Sequence, residues 1–552
     1  MGEIHRKKKE PLFIAILSLF FSFFMVMGES FRRTNSWDLV LGTPVRLAAS
    51  GLIFISFFLV FRFTLKKLYK YIDKGIKVDK PYESNKFLIV FNNHSFILSL
   101  IIILLCWLPY IIAFYPSILS PDPSNQIRQF FGIPNYYSEY VVLLDEGVVI
   151  TNHHPVLHTF ILGGMAKVGY LLGSINLGLF IYSILQVGTL SAVFAYTIYY
   201  MRELKLPIKL RIAFLLAYSL VPVFPLYAMS AVKDVIFGAL IILYIIFLFT
   251  VVKAKEGEVM THRRIGFYML LIILITLFRN NGIHVILLTL PFAIYKSKAY
   301  RRQLGIIFLS TLLIYGGYSK LLLPALRITP GSIREALSIP FQQTARYVLK
   351  YEDELTEQEI RAIDKLLNIE TLGERYKPEI SDPVKGEFNK YAQKEELINY
   401  FKVWARGLIK HPGVYIEATM NNTYGYFYPG KTNWYVYYRF DDRLAHDGFD
   451  YHYNNLFGLR KSLSLFAVAF PYIPVIGLMV NIAFNVWLIF TGAGYLIYRR
   501  KLSELIFLSP ALVLILICIA SPVNAYFRYS LPYIFSMPLM ISLFLYSAKM
   551  EG

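Results

Sequence analysis

KDVIFGALIILYIIFLFTVVK, residues 233–253, carries a charge pair in its first two positions, a lysine in its last, and no charge between them. A helix of this length rises about 30 Å at ~1.5 Å per residue, which matches the hydrocarbon thickness of a bilayer. Lipid offers no hydrogen-bond partners, so such a stretch satisfies its backbone only by coiling. The rest of the chain is built alike, since 56% of its 552 residues are hydrophobic. The fold class that follows is an all-α polytopic membrane protein.

Working outward from 233–253, a helix-length window predicts twelve spans: 11–28, 44–65, 94–114, 176–200, 211–229, 233–253, 265–278, 283–296, 303–323, 472–498, 504–521 and 526–547. Basic loops at Arg6 to Lys9, Lys66 to Lys86, Arg202 to Arg211, Lys253 to Arg264, Lys296 to Arg302 and Arg499 to Lys501 alternate with poorer ones. The short loops left on the other side hold one or two basic residues each, among them Arg32 and Arg33, Arg128, Lys233, Arg279 and Arg528. By the positive-inside rule both termini are cytoplasmic, in a bacterial-type plasma membrane. The net charge of +20 is explained by these loops, so no nucleic-acid partner is expected. The two cysteines, Cys106 and Cys518, lie in separate apolar runs and define no disulfide framework. The basic start before the first apolar run resembles a signal peptide, but no small-residue cleavage site follows, and it is read as a retained helix.

The apolar stretch Pro155 to Gly173 breaks the alternation if counted as a span, because every later helix would invert. It is read as a juxtamembrane helix at the outer interface, and an ordinary span remains the competing reading. Four regions follow: an N-terminal two-helix extension and loop, 1–93; a transmembrane core, 94–323, with a first outer loop at 115–175; an extracytoplasmic, mainly helical domain, 324–461; and the C-terminal helices, 462–552. Within the outer domain, Thr356 with Glu359 predicts a helix start, as does Asp382-Pro383 before a periodic run to Ile409. Asn421 to Tyr453, with Trp434, reads either as a flexible surface that stacks on sugars or as an aromatic belt at the lipid interface.

The chemistry-bearing residues gather at predicted outer helix ends. In Pro121-Asp122-Pro123-Ser124-Asn125-Gln126 the prolines stiffen the backbone around a carboxylate that could act as a general base, or that marks a turn. In Asn152-His153-His154-Pro155, adjacent histidines on an extended backbone point opposite ways, so at most one is expected to face a shared site. Arg528, Arg279-Asn280-Asn281 and Lys233-Asp234 lie at depths where a cation is costly without an anion; snorkelling or a helix-end pair is the plain alternative. A polyprenyl phosphate presents its phosphate and sugar at that depth.

The topology, the Asp122 loop, His154-Pro155-Val156-Leu157 and Arg528-Tyr529-Ser530-Leu531-Pro532 resemble the GT-C superfamily of membrane glycosyltransferases. The strongest similarity is to the protein mannosyltransferase and aminoarabinose transferase type, and the chain also looks like an uncharacterised bacterial multi-pass family. The resemblance covers about 94–323 and 472–547. It implies a polyprenyl-phosphate sugar donor, a glycan, lipid or protein acceptor, and inverting transfer at the outer face. Asp122 would activate the acceptor or help hold a divalent cation, Mg or Mn; Arg528, with Lys233 and Arg279, would hold the donor phosphate. His154, His153, Gln126 and Asn280 would line the substrate pocket. The chain departs from the pattern in its two extra N-terminal helices and in lacking an acidic pair at Asp122. A lipid-linked oligosaccharide flippase, or a glycan ligase or polymerase, is the alternative.

Overall fold

The computed structural model describes residues 2–75, 85–432, 441–453 and 456–549; Trp434 and part of the basic run before Lys86 lie outside them. All regular secondary structure among the described residues is helical, joined by isolated β-bridges. Eight of these helices are long and apolar enough to cross a membrane: Leu12–Thr34, Pro44–Asp73, Ser95–Ala113, Ile175–Glu203, Lys233–Lys253, Arg301–Ala325, Leu502–Ile519 and Phe527–Ala548. The protein is a helical, membrane-embedded polytopic protein.

The other four expected spans contain shorter helices. Ile208–Leu220, His262–Phe278, Gly282–Lys296 and Ile482–Tyr498 have 13, 17, 15 and 17 residues, about 20 to 25 Å at ~1.5 Å per residue, less than a bilayer core. Two of these expected spans are broken by proline. The run 211–229 stops at Val221 before Pro222 and restarts as Val223–Ala228. The run 472–498 becomes α-helical only at Ile482, after short turns carrying Pro471, Pro474 and Gly477.

The helices Lys233–Lys253 and Phe527–Lys549 form the centre: 72% of the apolar window of each is buried, against none for Pro44–Asp73, whose Leu52, Ile55, Leu59 and Phe63 face outward. Gly238 lets the central pair close, since a Cβ there would stand 2.8 Å from the Phe535 ring. Gly163 and Gly169 of the 155–173 stretch have the same purpose. Val156–Leu171 lies backbone to backbone against Ile175–Glu203, with a Cβ on Gly178 placed 2.1 Å from the Met165 carbonyl oxygen.

The segment 324–461 has a core of its own, built from Leu337, Phe341, Ile363, Leu366, Leu372 and Tyr400. Thr356 and Glu359 form the expected capping box. The helix expected from Asp382 lasts one turn, Asp382–Lys385, and the next, Lys394–Lys410, starts afresh from its own capping box at Gln393. Between them the Asn389 N–H is drawn off to the Leu366 carbonyl at 2.9 Å. The segment docks on the first helix hairpin through Arg346, which donates to Glu417 at 2.6 Å and to the Asn35 carbonyl at 3.0 Å.

Residues 421–428 are not the open sugar-stacking surface expected from their composition. Tyr424 and Tyr426 are fully buried, with the Tyr426 hydroxyl donating to the Val523 carbonyl at 3.0 Å. Asn422 donates to the Ser521 carbonyl at 2.8 Å, and the Gly425 N–H to Asn524 Oδ1 at 2.9 Å. The polar aromatic composition here serves to anchor the loop that leads into Arg528.

Gly178→Ala is expected to destabilise the detergent-solubilised protein by about 1–3 kcal/mol, because the Val156–Leu171 helix must move off its partner. Gly188→Ala, in the same helix with no atom within 4 Å of its Cβ position, is expected to be neutral or slightly stabilising. Thermal unfolding of both variants checks this, and equal melting temperatures would exclude the close contact.

Candidate functional site

Five helices begin around one cluster of side chains: Pro121–Phe130, Val156–Leu171, Lys233–Lys253, Gly282–Lys296 and Phe527–Lys549. Proline at the first position suits the start at Pro121 and leaves Asp122 in the first turn. The loops ahead of two of these helices are pinned together: the Ile118 N–H donates to the Met229 carbonyl at 2.8 Å and the Ala231 N–H to the Ile118 carbonyl at 3.1 Å. That crossing sets Asp122 beside Lys233. Arg528 is delivered by the loop that Tyr426 and Asn422 anchor.

Arg528 lies between two carboxylates. Its Nη2 donates to Asp122 Oδ2 at 2.6 Å, and its Nε lies 3.3 Å from Asp234 Oδ2. Arg279 holds the other oxygen of Asp234 in a close ion pair. Tyr137 donates its hydroxyl to Asp122 Oδ1 at 2.6 Å. Lys233 Nζ stands 3.8 Å from Asp122 Oδ2 and donates to His154 Nδ1 at 2.8 Å. An ammonium can only donate, so His154 accepts on Nδ1 and carries its proton on Nε2. That Nε2 lies 3.7 Å from Asp122 Oδ1 and has no hydrogen-bond partner, although the residue is buried.

Burial opposes the charge on Asp122, but the Arg528 guanidinium and the Lys233 ammonium hold its carboxyl well below the usual carboxylate range. Burial and the Lys233 ammonium push His154 well below the usual histidine value, so it stays neutral. Burial takes His153 down to about 4 against the pull of Glu335. Burial and the Asp122 charge raise Tyr137 well above the ordinary phenol value, so it remains a donor.

The structure therefore brings Asp122, His154, Lys233 and Arg528 into one cluster, and Arg279 joins it through Asp234. His153 does not point away from its neighbour as an extended backbone requires. Residues 152–154 form a turn, both imidazoles contact Tyr137, and the His153 ring stacks on it at 4.0 Å. Gln126 is not free for a ligand: buried, it donates to Thr159 at 2.8 Å and faces His158 Nδ1 at 3.1 Å, tying the Asp122 helix to Val156–Leu171. Asn280 is a scaffold residue, donating to the Asn152 and His153 carbonyls at 2.8 and 3.3 Å. Sequence reasoning missed Tyr137, which nothing separates from the other 41 of the chain's 42 tyrosines, and read Asp234 only as a helix-end partner of Lys233.

The divalent cation implied by the resemblance does not fit this donor set. Asp122 is ringed by cations and a phenol, both oxygens of Asp234 face arginines, and no group of three or more His, Cys, Asp or Glu side chains among the described residues is placed to hold a metal.

Fold and site together define a polytopic helical membrane protein with a buried, cation-rich cluster at the meeting of helix starts. The chain belongs to the family described as "Family of unknown function (DUF6020)", whose profile matches residues 5–551. No curated protein and no solved structure matches it.

The depressed His153 gives a pH prediction. Its folded value, about 4, lies below the ordinary 6.5, so the unfolded chain binds more protons between the two. Its contribution is present above pH 6.5 and is lost as pH falls to about 4, a change on the order of 3 kcal/mol. Melting temperature should fall over that window, and His153→Gln should flatten the fall. A parallel decline in variant and wild type would refute the assignment.

Proposed function

We propose that the protein is a membrane glycosyltransferase of the GT-C type that moves a sugar from a polyprenyl-phosphate donor to a cell-envelope acceptor, the acceptor being a glycan, lipid or protein. In this reading the chain crosses the membrane twelve times with both termini cytoplasmic, the short helices crossing where the core is thin or sheltered by neighbours. The Asp122 cluster then opens on the outer face. The segment 324–461 stands over the cluster and presents the acceptor, reaching it through Glu335, 4.0 Å from His153.

The observation that carries this reading is the charge of the cluster. Lys233, Arg279 and Arg528 supply three positive charges and Asp122 and Asp234 two negative, with His154 neutral. The net charge of +1 matches one phosphodiester, the linkage of a polyprenyl-phosphate sugar. In the transfer, the acceptor oxygen attacks the anomeric carbon and its proton passes to Asp122. The bond from that carbon to the phosphate oxygen breaks, and polyprenyl phosphate leaves with the electron pair as a dianion. Asp122 loses a negative charge as the phosphate gains one, so the site stays neutral throughout. Arg528 and Lys233 are preorganised for the charge that develops on the leaving oxygen.

Envelope glycans compared by mass spectrometry test the reading. Deletion should remove a sugar that the wild-type gene restores. Asp122→Asn and Arg528→Lys, inserted at normal levels, should restore it poorly, with turnover reduced about 100-fold or more, as when a transition-state donor is lost. Full restoration by both variants would end the proposal.

A further inference from the structure

Asp122 engages only part of the donor set around it. Of the three groups facing its carboxylate from the cationic side, only Arg528 makes a hydrogen bond, at 2.6 Å; Lys233 Nζ at 3.8 Å and His154 Nε2 at 3.7 Å are beyond reach. The His154 Nε2–H is buried without a partner, which native structures rarely tolerate except where a ligand completes the set. Its direction is fixed from behind, because Lys233 occupies Nδ1. Lys233 and Arg528 also sit in the first turns of their helices. Cations there oppose the helix dipole, whose positive end favours anions. The cradle is therefore too wide and too positive for the carboxylate now in it.

A phosphate group has more oxygens to share among Arg528, Lys233 and His154 than a carboxylate with one oxygen already on Tyr137. We propose that Asp122 stands where a phosphate ester binds, and that the ester displaces its carboxylate from Arg528, Lys233 and His154, leaving it on the Tyr137 hydroxyl and free to accept a proton. This rests on reading the cluster as a phosphate site; sugar transfer is not needed for it. The consequence is an order of events: while no phosphate is bound, Asp122 is neutralised by Arg528 and is a poor base, and the phosphate ligand itself releases it. A donor sugar would then meet an active base only in its own complex.

The test uses the full-length protein in detergent micelles, titrated with farnesyl phosphate, with inorganic phosphate, and with farnesol as the uncharged control. Asp122→Asn removes the internal competitor and keeps the shape, so it should bind farnesyl phosphate at least tenfold more tightly than wild type, with farnesol unchanged. His154→Ala should bind it at least tenfold more weakly, and this second arm stands if Asp122→Asn does not fold. A gain with farnesyl phosphate alone assigns a lipid phosphate. A gain with inorganic phosphate alone keeps the competition and assigns a free phosphate. Equal or weaker binding by folded Asp122→Asn, or wild-type binding by His154→Ala, overturns the proposal. A deletion strain with unchanged glycans beside a tighter-binding Asp122→Asn would remove sugar transfer and leave the competition standing; lost sugar beside equal affinities would do the reverse.

Discussion

One guanidinium, that of Arg528, is shared by the carboxylates of Asp122 and Asp234 within a body of apolar helices. Taking five charged groups out of water is costly, and removing one partner of a buried pair typically costs about 3–5 kcal/mol because the other is left alone. Tolerating the cluster requires that each charge be held in place by elements that cannot drift. The close approach at Gly238, the Ile118 crossing and the Tyr426 anchor meet that requirement for Arg528, Asp234, Lys233 and Asp122. The packing described above is in this sense the support of a small electrostatic object.

That object is badly arranged for stability alone. A design aimed only at folding would place carboxylates at the helix starts and cations at the ends. Here Asp122 and Asp234 do take first-turn positions, but so do Lys233 and Arg528, and three cations face two carboxylates. An excess positive charge at converging helix starts lowers the free energy of any anion that arrives. The excess cation is the part of the arrangement that folding stability does not account for, and charge balance therefore carries the functional argument further than any single contact.

Much of the cluster was legible in the sequence, for a physical reason. In a chain this apolar, an Asp, Lys or Arg at the end of a hydrophobic run is expensive and stands out, so Asp122, Lys233, Arg279 and Arg528 could be named without coordinates. Their mutual geometry could not, because the 122, 154, 233 and 528 positions meet only through tertiary packing. Tyr137 was invisible among so many tyrosines, and the Asn421 tract misled because buried and exposed aromatic clusters share one composition. The eight long helices followed directly from run length. Of the four short ones, His262–Phe278 and Gly282–Lys296 match their expected spans, whereas 211–229 and 472–498 are cut short, since proline stops a helix at points that a hydropathy window averages over.

Tyr137 adds a link that only the structure could supply. Its hydroxyl is on Asp122 while its ring lies against His153, and His153 in turn faces Glu335, which pairs closely with Lys385. Glu335 and Lys385 belong to the 324–461 segment, whose Arg334 also stacks on Tyr140 at 3.6 Å. Two aromatic rings, Tyr137 and His153, thus separate the carboxylate at the heart of the cluster from a separately cored unit. The same unit also reaches the cluster from its other side, because Tyr426 and Asn422 hold the 521–524 loop that leads into Arg528. The unit is therefore linked to both partners of the Asp122–Arg528 pair, to the carboxylate through His153 and Tyr137 and to the guanidinium through the anchored loop, so that its position and the geometry of the pair are set together.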